Sequence, residues 1–306
     1  MGYDTGIITR FFKKINCRGS VEFFDKLCYT AYNNKTTGDT MKTESVKING
    51  IEMEYFSFGT GKRPFIILPG VSARSVMLSA MTIRSAYRVF EDLYTVYVFD
   101  RRRNMPDPYP VRRMAADTAE VMRALGIRDA DVFGASQGGM MAMCIAIDNP
   151  ELVHKIALGS TSAYADEYVI GWTRRWVELA ESGDITALTS ELIDCLFSEK
   201  TIGRYKDFLI HMNDGITEDD LRRFIIQTQA IDGYNITDEL DRIKCPAFVI
   251  GAEGDKLLSA DYSRFIAEKL GCPLYLYGGD YGHCVFDEAP DYKQRLMDFF
   301  QPDEAL

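Results

Sequence analysis

The sequence predicts an α/β fold: a doubly wound, mostly parallel sheet with an inserted helical cap. Three observations carry this. Apolar runs of the kind buried on both faces of a parallel sheet recur at residues 64–68, 94–99, 155–159 and 246–251, with helix-periodic stretches between them. Between residues 164 and 235 the strand pattern lapses and only helical spacing remains. A glycine-rich turn, Gly134-Ala135-Ser136-Gln137-Gly138-Gly139, joins a β-prone segment at 131–133 to a helix-prone one at 140–147.

Residues 1–40 stand apart from the main domain. Ile7, Ile8, Phe11, Phe12 and Ile15 fall at helical spacing with Arg10, Lys13 and Lys14 between them, and Val21, Phe24, Leu27 and Cys28 repeat the pattern. Two short amphipathic helices are expected, packed on the main domain or on a second subunit; a membrane-surface anchor or a lid is the sharper alternative. Residues 33–39 are polar and read as a linker.

The first part of the sheet domain is expected over residues 41–163. Val46 and Ile48, then Met53, Tyr55 and Phe58, alternate on either side of Asn49-Gly50, which predicts an antiparallel hairpin. A strand at 64–68 ends at Pro69-Gly70-Val71-Ser72, a helix spans 76–93, and a strand at 94–99 ends at Asp100-Arg101-Arg102-Arg103. A helix at 111–125 stops at Gly126, and the Ser136 turn, its helix and the strand at 155–159 follow.

Residues 164–235 read as four helical pieces, broken at Gly183-Asp184, Gly203 and Asp214-Gly215. An insertion that leaves and rejoins the sheet is expected over the strands' C-terminal edge, where such folds bind ligands. The second part of the sheet domain, 236–306, supplies the strand at 246–251, a helix at 260–270, a strand at 273–277 and a last helix at 290–300.

Composition narrows the function. A 306-residue chain that is 46% apolar can bury a substantial core. A net charge of −10 and a pI near 5.0 argue against a nucleic-acid partner, which requires a basic face. The seven cysteines are odd in number, scattered and free of any C-x-x-C pair, which argues against a disulfide framework or a zinc site and for a reducing compartment. Without a secretory leader pattern or an 18-residue apolar run, a cytoplasmic protein is expected. No Walker-type loop, dinucleotide fingerprint or metal-ligand cluster occurs, so neither cofactor nor metal is expected. The expected partner is a small-molecule substrate, with a homodimer left open and neither nucleic acid nor membrane foreseen.

The turn at 134–139 is a G-x-S-x-G pattern in the strand-to-helix context that this motif requires. Small neighbours leave room for a strained backbone at Ser136 and hold its hydroxyl clear of the sheet. The N–H of Gln137, at the helix N-terminus, is placed to stabilise an oxyanion. The five-residue pattern alone recurs by chance, so the chain must also supply a base, an acid and a second donor.

With these residues in view, the chain resembles the capped, single-domain α/β-hydrolases over about residues 43–300. That family places its nucleophile after the fifth strand, its acid after the seventh and its base histidine after the eighth. Counting from Val46, the resemblance implies Ser136, Asp255 and His283 in those roles, with Glu253 and Asp280 as rival acids. It also implies the backbone N–H of Val71 as the second oxyanion donor. Of the three histidines, His154 and His211 fall away from the strand-end position. Two departures stand out. Pro69-Gly70 replaces the family's His-Gly, and Asp100-Arg101-Arg102-Arg103 replaces Asp, a variable residue, Arg and Gly, so that Arg102 matches the family arginine and Arg103 the glycine. The arginine run reads as a solvated loop with one structural Asp–Arg pair, the alternative being a site for an anionic substrate.

The chemistry these residues imply is acyl transfer: a serine activated by histidine, oriented by a carboxylate, with two amides on the oxyanion. The expected enzyme is a carboxylesterase-like serine hydrolase acting on a small, largely apolar substrate. Ser72, Tyr164, Trp172 and Trp176 are candidates to line its pocket. The same residues would serve an aminopeptidase, thioesterase, carbon–carbon hydrolase or acyltransferase, and a non-catalytic small-molecule receptor is the alternative from another class.

Overall fold

The computed structural model describes residues 41–301, so the helices expected over residues 1–40 lie outside the described residues. Eight strands form one sheet: β1 Glu44–Ile48, β2 Ile51–Phe58, β3 Arg63–Leu68, β4 Tyr94–Phe99, β5 Ala130–Ala135, β6 Val153–Gly159, β7 Ala247–Ala252 and β8 Leu274–Tyr277. Their order is β1-β2-β4-β3-β5-β6-β7-β8. The β1–β2 and β2–β4 pairs are antiparallel and the remaining pairs parallel. The hairpin closes on Ile48 paired with Ile51. Asn49 and Gly50 both adopt positive φ, 48° and 75°, as a two-residue turn matched to strand twist demands.

The helices on the sheet are α1 Ala80–Ala86, α2 Val111–Ala124, α3 Gln137–Asp148, α8 Ala260–Leu270, α9 Val285–Glu288 and α10 Tyr292–Phe300. Four more, α4 Glu167–Ser182, α5 Ile185–Leu196, α6 Glu199–Leu209 and α7 Glu218–Gln229, lie between β6 and β7. Because side chains alternate along a strand, Phe65 and Ile67 of β3 enter one core while Ile66 and Leu68 enter the other. The first core holds Phe90, Tyr94 and Phe300, and Phe65 stacks on Phe90 at 4.4 Å. The second holds Met114, Val121 and Ile145. Helices on both faces explain why these strands are apolar throughout.

Two local expectations change. The helix expected at 76–93 is only α1, flanked by 3₁₀ turns at Val76–Ser79 and Arg88–Phe90. Tyr87 and Phe90 are both buried, and the tighter turn, with the Phe90 N–H on the Tyr87 carbonyl at 3.0 Å, brings residues three apart onto one face. Gly203 does not break the insertion but sits inside α6. The break falls at Phe197-Ser198, where Phe197 is extended and the Ser198 hydroxyl accepts from the Thr201 N–H at 3.2 Å.

Crossings between sheet and insertion meet as a short antiparallel bridge. Tyr164 opposes Asn235, Ala165 N–H donates to Tyr234 O at 2.8 Å, and Ile236 N–H donates to Ala163 O at 2.9 Å. The order in which the chain adds strands reverses between the parallel neighbours β3 and β5, whose adjacent C-terminal ends carry the loops after Leu68 and Ala135. A crevice at such a switch point is where an open α/β sheet accommodates ligands.

Candidate active site

Ser136 occupies the turn between β5 and α3 with φ 54° and ψ −125°, a conformation costly for any residue with a Cβ. Its surroundings hold it there. Its N–H donates to Gly159 O at 2.9 Å, and its carbonyl accepts from Gly139 N–H at 2.9 Å and from the Thr161 hydroxyl at 2.7 Å. The glycines are sterically required: a Cβ on Gly134 would lie 2.3 Å from the Gly138 carbonyl oxygen, and one on Gly138 would lie 1.9 Å from that of Leu68. The turn can therefore pack against the end of β3 only with glycine at 134 and 138.

Across the sheet edge, His283 Nδ1 lies 2.8 Å from Asp255 Oδ2, with the two residues 2% and 5% exposed. The other Asp255 oxygen accepts the N–H groups of Leu257 and Leu258 at 2.9 and 2.8 Å. With one oxygen committed to two amides, the second faces the imidazole. A carboxylate only accepts, so Nδ1 is the donor in this bond. The turn before Asp255 and the loop before His283 are in close contact, since a Cβ on Gly254 would lie 2.4 Å from the Gly279 carbonyl oxygen.

The rival groups are elsewhere. Glu253 is exposed and pairs with Arg264, and Asp280 is exposed on the loop. His154 starts β6, at the opposite end of the sheet from Ser136, and bonds Asp131 at 2.7 Å. His211 is an exposed residue after α6, 3.0 Å from Asp214.

Two features of the His283 loop carried no sequence signal. Glu288 on α9 accepts the Gly282 N–H with one oxygen and the Ser198 N–H with the other, each at 2.7 Å. Cys284 N–H donates to Leu196 O at 2.9 Å. The loop is thereby fastened to the junction of α5 and α6.

The loop after β3 abuts Ser136: a Cβ on Gly70 would lie 3.0 Å from Ser136 Cβ and 3.5 Å from its Oγ. This brings Val71, the next residue, beside the serine turn. Gln137 is the first residue of α3, so its N–H has no partner within the helix. Its side chain is wholly buried, the carbonyl accepting from Arg101 at 3.1 Å and the amide donating to Gln227 O at 2.6 Å.

Arg101 departs from the expectation of a solvated arginine loop with one structural Asp–Arg pair. It is 2% exposed, and one Nη donates to Pro69 O at 2.8 Å and Gly70 O at 3.4 Å as well as to Gln137. Burial lowers its pKa to about 10, with Asp100 opposing the shift, which leaves it charged at neutral pH. Arg102 instead pairs with buried Asp117 at 3.0 Å, and Arg103 reaches Glu54 at 3.2 Å from an exposed position. Nothing local separates the three; the acceptors that hold Arg101 come from the loop after β3 and from α3.

The candidate pocket residues are more dispersed. Ser72 donates its hydroxyl to Arg74 O, while its carbonyl accepts from the Gln227 amide at 3.3 Å. Tyr164 packs its ring on Tyr262 and Phe265 of α8, at 5.3 and 5.5 Å. Trp176 is 3% exposed within the core and Trp172, half-buried, lies 6.1 Å from it. Among the described residues there is no group of three His, Cys, Asp or Glu side chains able to hold a metal ion, and no helix long and apolar enough to cross a membrane.

Residues 63–290 match the alpha/beta hydrolase fold family. The human serine hydrolase BPHL is 23% identical over 277 residues, spanning 86% of this chain and 88% of that one. The 3-oxoadipate enol-lactonase 2 of Acinetobacter baylyi is 23% identical, spanning 76% and 85%. Among solved structures, the α/β hydrolase MGS-M2 from a Medee basin deep-sea metagenome library superposes with a TM-score of 0.77 at 18% identity, covering 86% of this chain and 99% of that one. The enol-lactonase of Burkholderia xenovorans gives 0.72 at 20% identity, covering 85% and 100%. The match spans most of the chain, from the third strand to the helix after the histidine loop, and the chain belongs to the α/β-hydrolase fold family.

Proposed function

We propose that the protein is a serine hydrolase that cleaves an ester or related acyl bond of a small, largely apolar substrate. The observation that carries this is the buried Asp255–His283 pair, set on the same sheet edge as a serine held at positive φ. In this reading Ser136 Oγ attacks the carbonyl carbon while His283 Nε2 takes its proton, and Asp255 stabilises the imidazolium that results. The Val71 and Gln137 amides receive the negative charge that develops on the carbonyl oxygen. His283 then passes the proton to the leaving group, and the acyl-enzyme is released by water activated through the same imidazole. The helical insertion, residues 164–235, roofs the site and excludes bulk water. A relative named as a serine hydrolase supports the serine mechanism, and one named as an enol-lactonase supports a lactone or related ester carbonyl as the substrate class.

A fluorophosphonate probe and p-nitrophenyl acetate test the reading together. The native protein is expected to be labelled at Ser136 and to hydrolyse the ester, and Ser136→Ala to lose both with its circular dichroism unchanged. Turnover by Ser136→Ala at the native rate overturns the assignment.

A further inference from the structure

We propose that Arg101 is the positioning residue of the oxyanion hole, setting the Val71 and Gln137 amides in register from behind. This rests on the serine-hydrolase reading and deepens it. A single Nη of Arg101 reaches the carbonyls of Pro69 and Gly70 and the side-chain carbonyl of Gln137. The Gly70 carbonyl and the Val71 N–H are two ends of one planar trans peptide and point in opposite directions. Anchoring the carbonyl on Arg101 therefore turns the N–H away from the guanidinium.

The other amide is held by the same cation. Gln137 contributes its backbone N–H to the proposed hole and its side chain to Arg101, so the start of α3 and the loop after β3 share one anchor. A second tie closes the arrangement from the insertion: Gln137 donates to Gln227 O on α7, and the Gln227 amide donates to Ser72 O. In the loop after β3, the carbonyls of residues 69, 70 and 72 are thus fixed by donors on other elements.

A guanidinium suits this task. Its planar Nη group holds two N–H donors in fixed directions and the charge persists on burial. Hydrogen bonding to the Gly70 carbonyl polarises the peptide and makes the Val71 N–H a better donor. The family places a histidine at position 69 to brace this loop; here the brace comes from a different strand, at a position that the family pattern leaves variable.

The test compares native protein, Arg101→Met, Arg101→Lys and Gln137→Met. The readouts are kcat and KM for p-nitrophenyl acetate, and Ki for an aryl trifluoromethyl ketone and for the matching methyl ketone. The trifluoromethyl ketone adds to the serine and places an oxyanion in the hole; the methyl ketone reports ground-state binding. Arg101→Met is expected to lower kcat about 10²-fold with KM little changed, and to weaken the trifluoromethyl ketone in proportion to kcat/KM while the methyl ketone keeps its Ki. Arg101→Lys retains the charge but shortens the reach and loses the planar donor geometry, and is expected to fall between native and Arg101→Met. Gln137→Met keeps the backbone N–H and removes the side-chain anchor, so it reports the same effect if Arg101→Met does not fold. Folded variants whose trifluoromethyl ketone Ki stays within about twofold of native overturn the role of Arg101 and leave the serine mechanism standing. A native protein that neither hydrolyses the ester nor binds the trifluoromethyl ketone overturns both.

Discussion

His283 Nδ1 and Asp255 Oδ2 are 2.8 Å apart in a place where neither group meets bulk water. The remaining Asp255 oxygen is already bound by two amides, so the carboxylate cannot turn away from the ring. Asp255→Asn keeps the shape but presents a donor where the Nδ1 proton points, which favours the tautomer with Nε2 protonated. We expect kcat to fall about 10³- to 10⁴-fold with the fold retained, measured on p-nitrophenyl acetate. A loss below about tenfold removes Asp255 from the orienting role.

Gly138 and Gly171 separate a glycine that packing requires from one that it does not. A Cβ on Gly138 meets backbone of both Leu68 and Pro69, at 1.9 and 2.7 Å, and backbone cannot rotate aside. Gly138→Ala is expected to cost about 3 kcal/mol and to displace the loop carrying Val71, lowering kcat as well. Gly171 is exposed on α4 with nothing within 4 Å of a Cβ, and Gly171→Ala is expected to add about 0.5–1 kcal/mol by reducing the freedom of the unfolded chain. Urea unfolding of the two variants checks both signs.

Arg112 joins α2 to the end of α3 and to the turn before β7, through paired bonds to Asp148 and Glu239 at 2.7–2.9 Å. The hydrogen bond from Arg112 holds the Glu239 carboxyl below its ordinary pKa. A lowered folded-state pKa means stabilisation that is complete above the unfolded value, about 4.3, and lost as pH falls through the folded value. Arg112→Ala is therefore expected to melt below native at neutral pH, by roughly 1 kcal/mol for so exposed a pair, and the gap to close as the solution is acidified below about pH 4. A gap that widens on acidification contradicts this origin.

Burial raises the thiol pKa of Cys144 and of Cys195 to about 12. With so little thiolate at neutral pH and no access, neither is expected to react with iodoacetamide until the protein unfolds. Peptide mapping after alkylation with and without urea reads this directly; modification of Cys144 in the native protein contradicts the packing around α3.

What the sequence could disclose was whatever repeats locally. The strands were legible because burial on two faces demands unbroken apolar runs, and the hairpin because Asn49-Gly50 suits two positive φ angles. The roles of Ser136, Asp255 and His283 were implied by the family resemblance, which places them at the ends of those runs. Arg101 was not legible, because its burial depends on carbonyls that arrive from the loop after β3 and a side chain from α3, while its neighbours Arg102 and Arg103 share its local pattern. Gly203 misled for the opposite reason: helix propensity argues against it by about 1 kcal/mol, and the Ser198 cap and buried Tyr205 and Leu209 outweigh that.

Glu288 makes the last comparison, because it binds the histidine loop to the insertion through a carboxylate whose two oxygens serve different partners. One accepts the Gly282 N–H and the other the Ser198 N–H, each at 2.7 Å in a buried setting. Glutamine has one acceptor oxygen, so in Glu288→Gln an NH₂ group must face one of the two N–H donors. The cost expected is about 2–3 kcal/mol, as for a lost charged hydrogen bond with a buried donor left unpaired. The Gly282 side of that loss adjoins His283, so kcat is expected to fall while the Asp255–His283 pair itself remains chemically intact. Glu288→Ala, which introduces no opposing donor, is expected to lose less stability than Glu288→Gln if repulsion dominates and more if the cavity does. In either case a native-like kcat in a destabilised Glu288→Gln protein would show that the histidine loop is held in place without the Glu288 bridge.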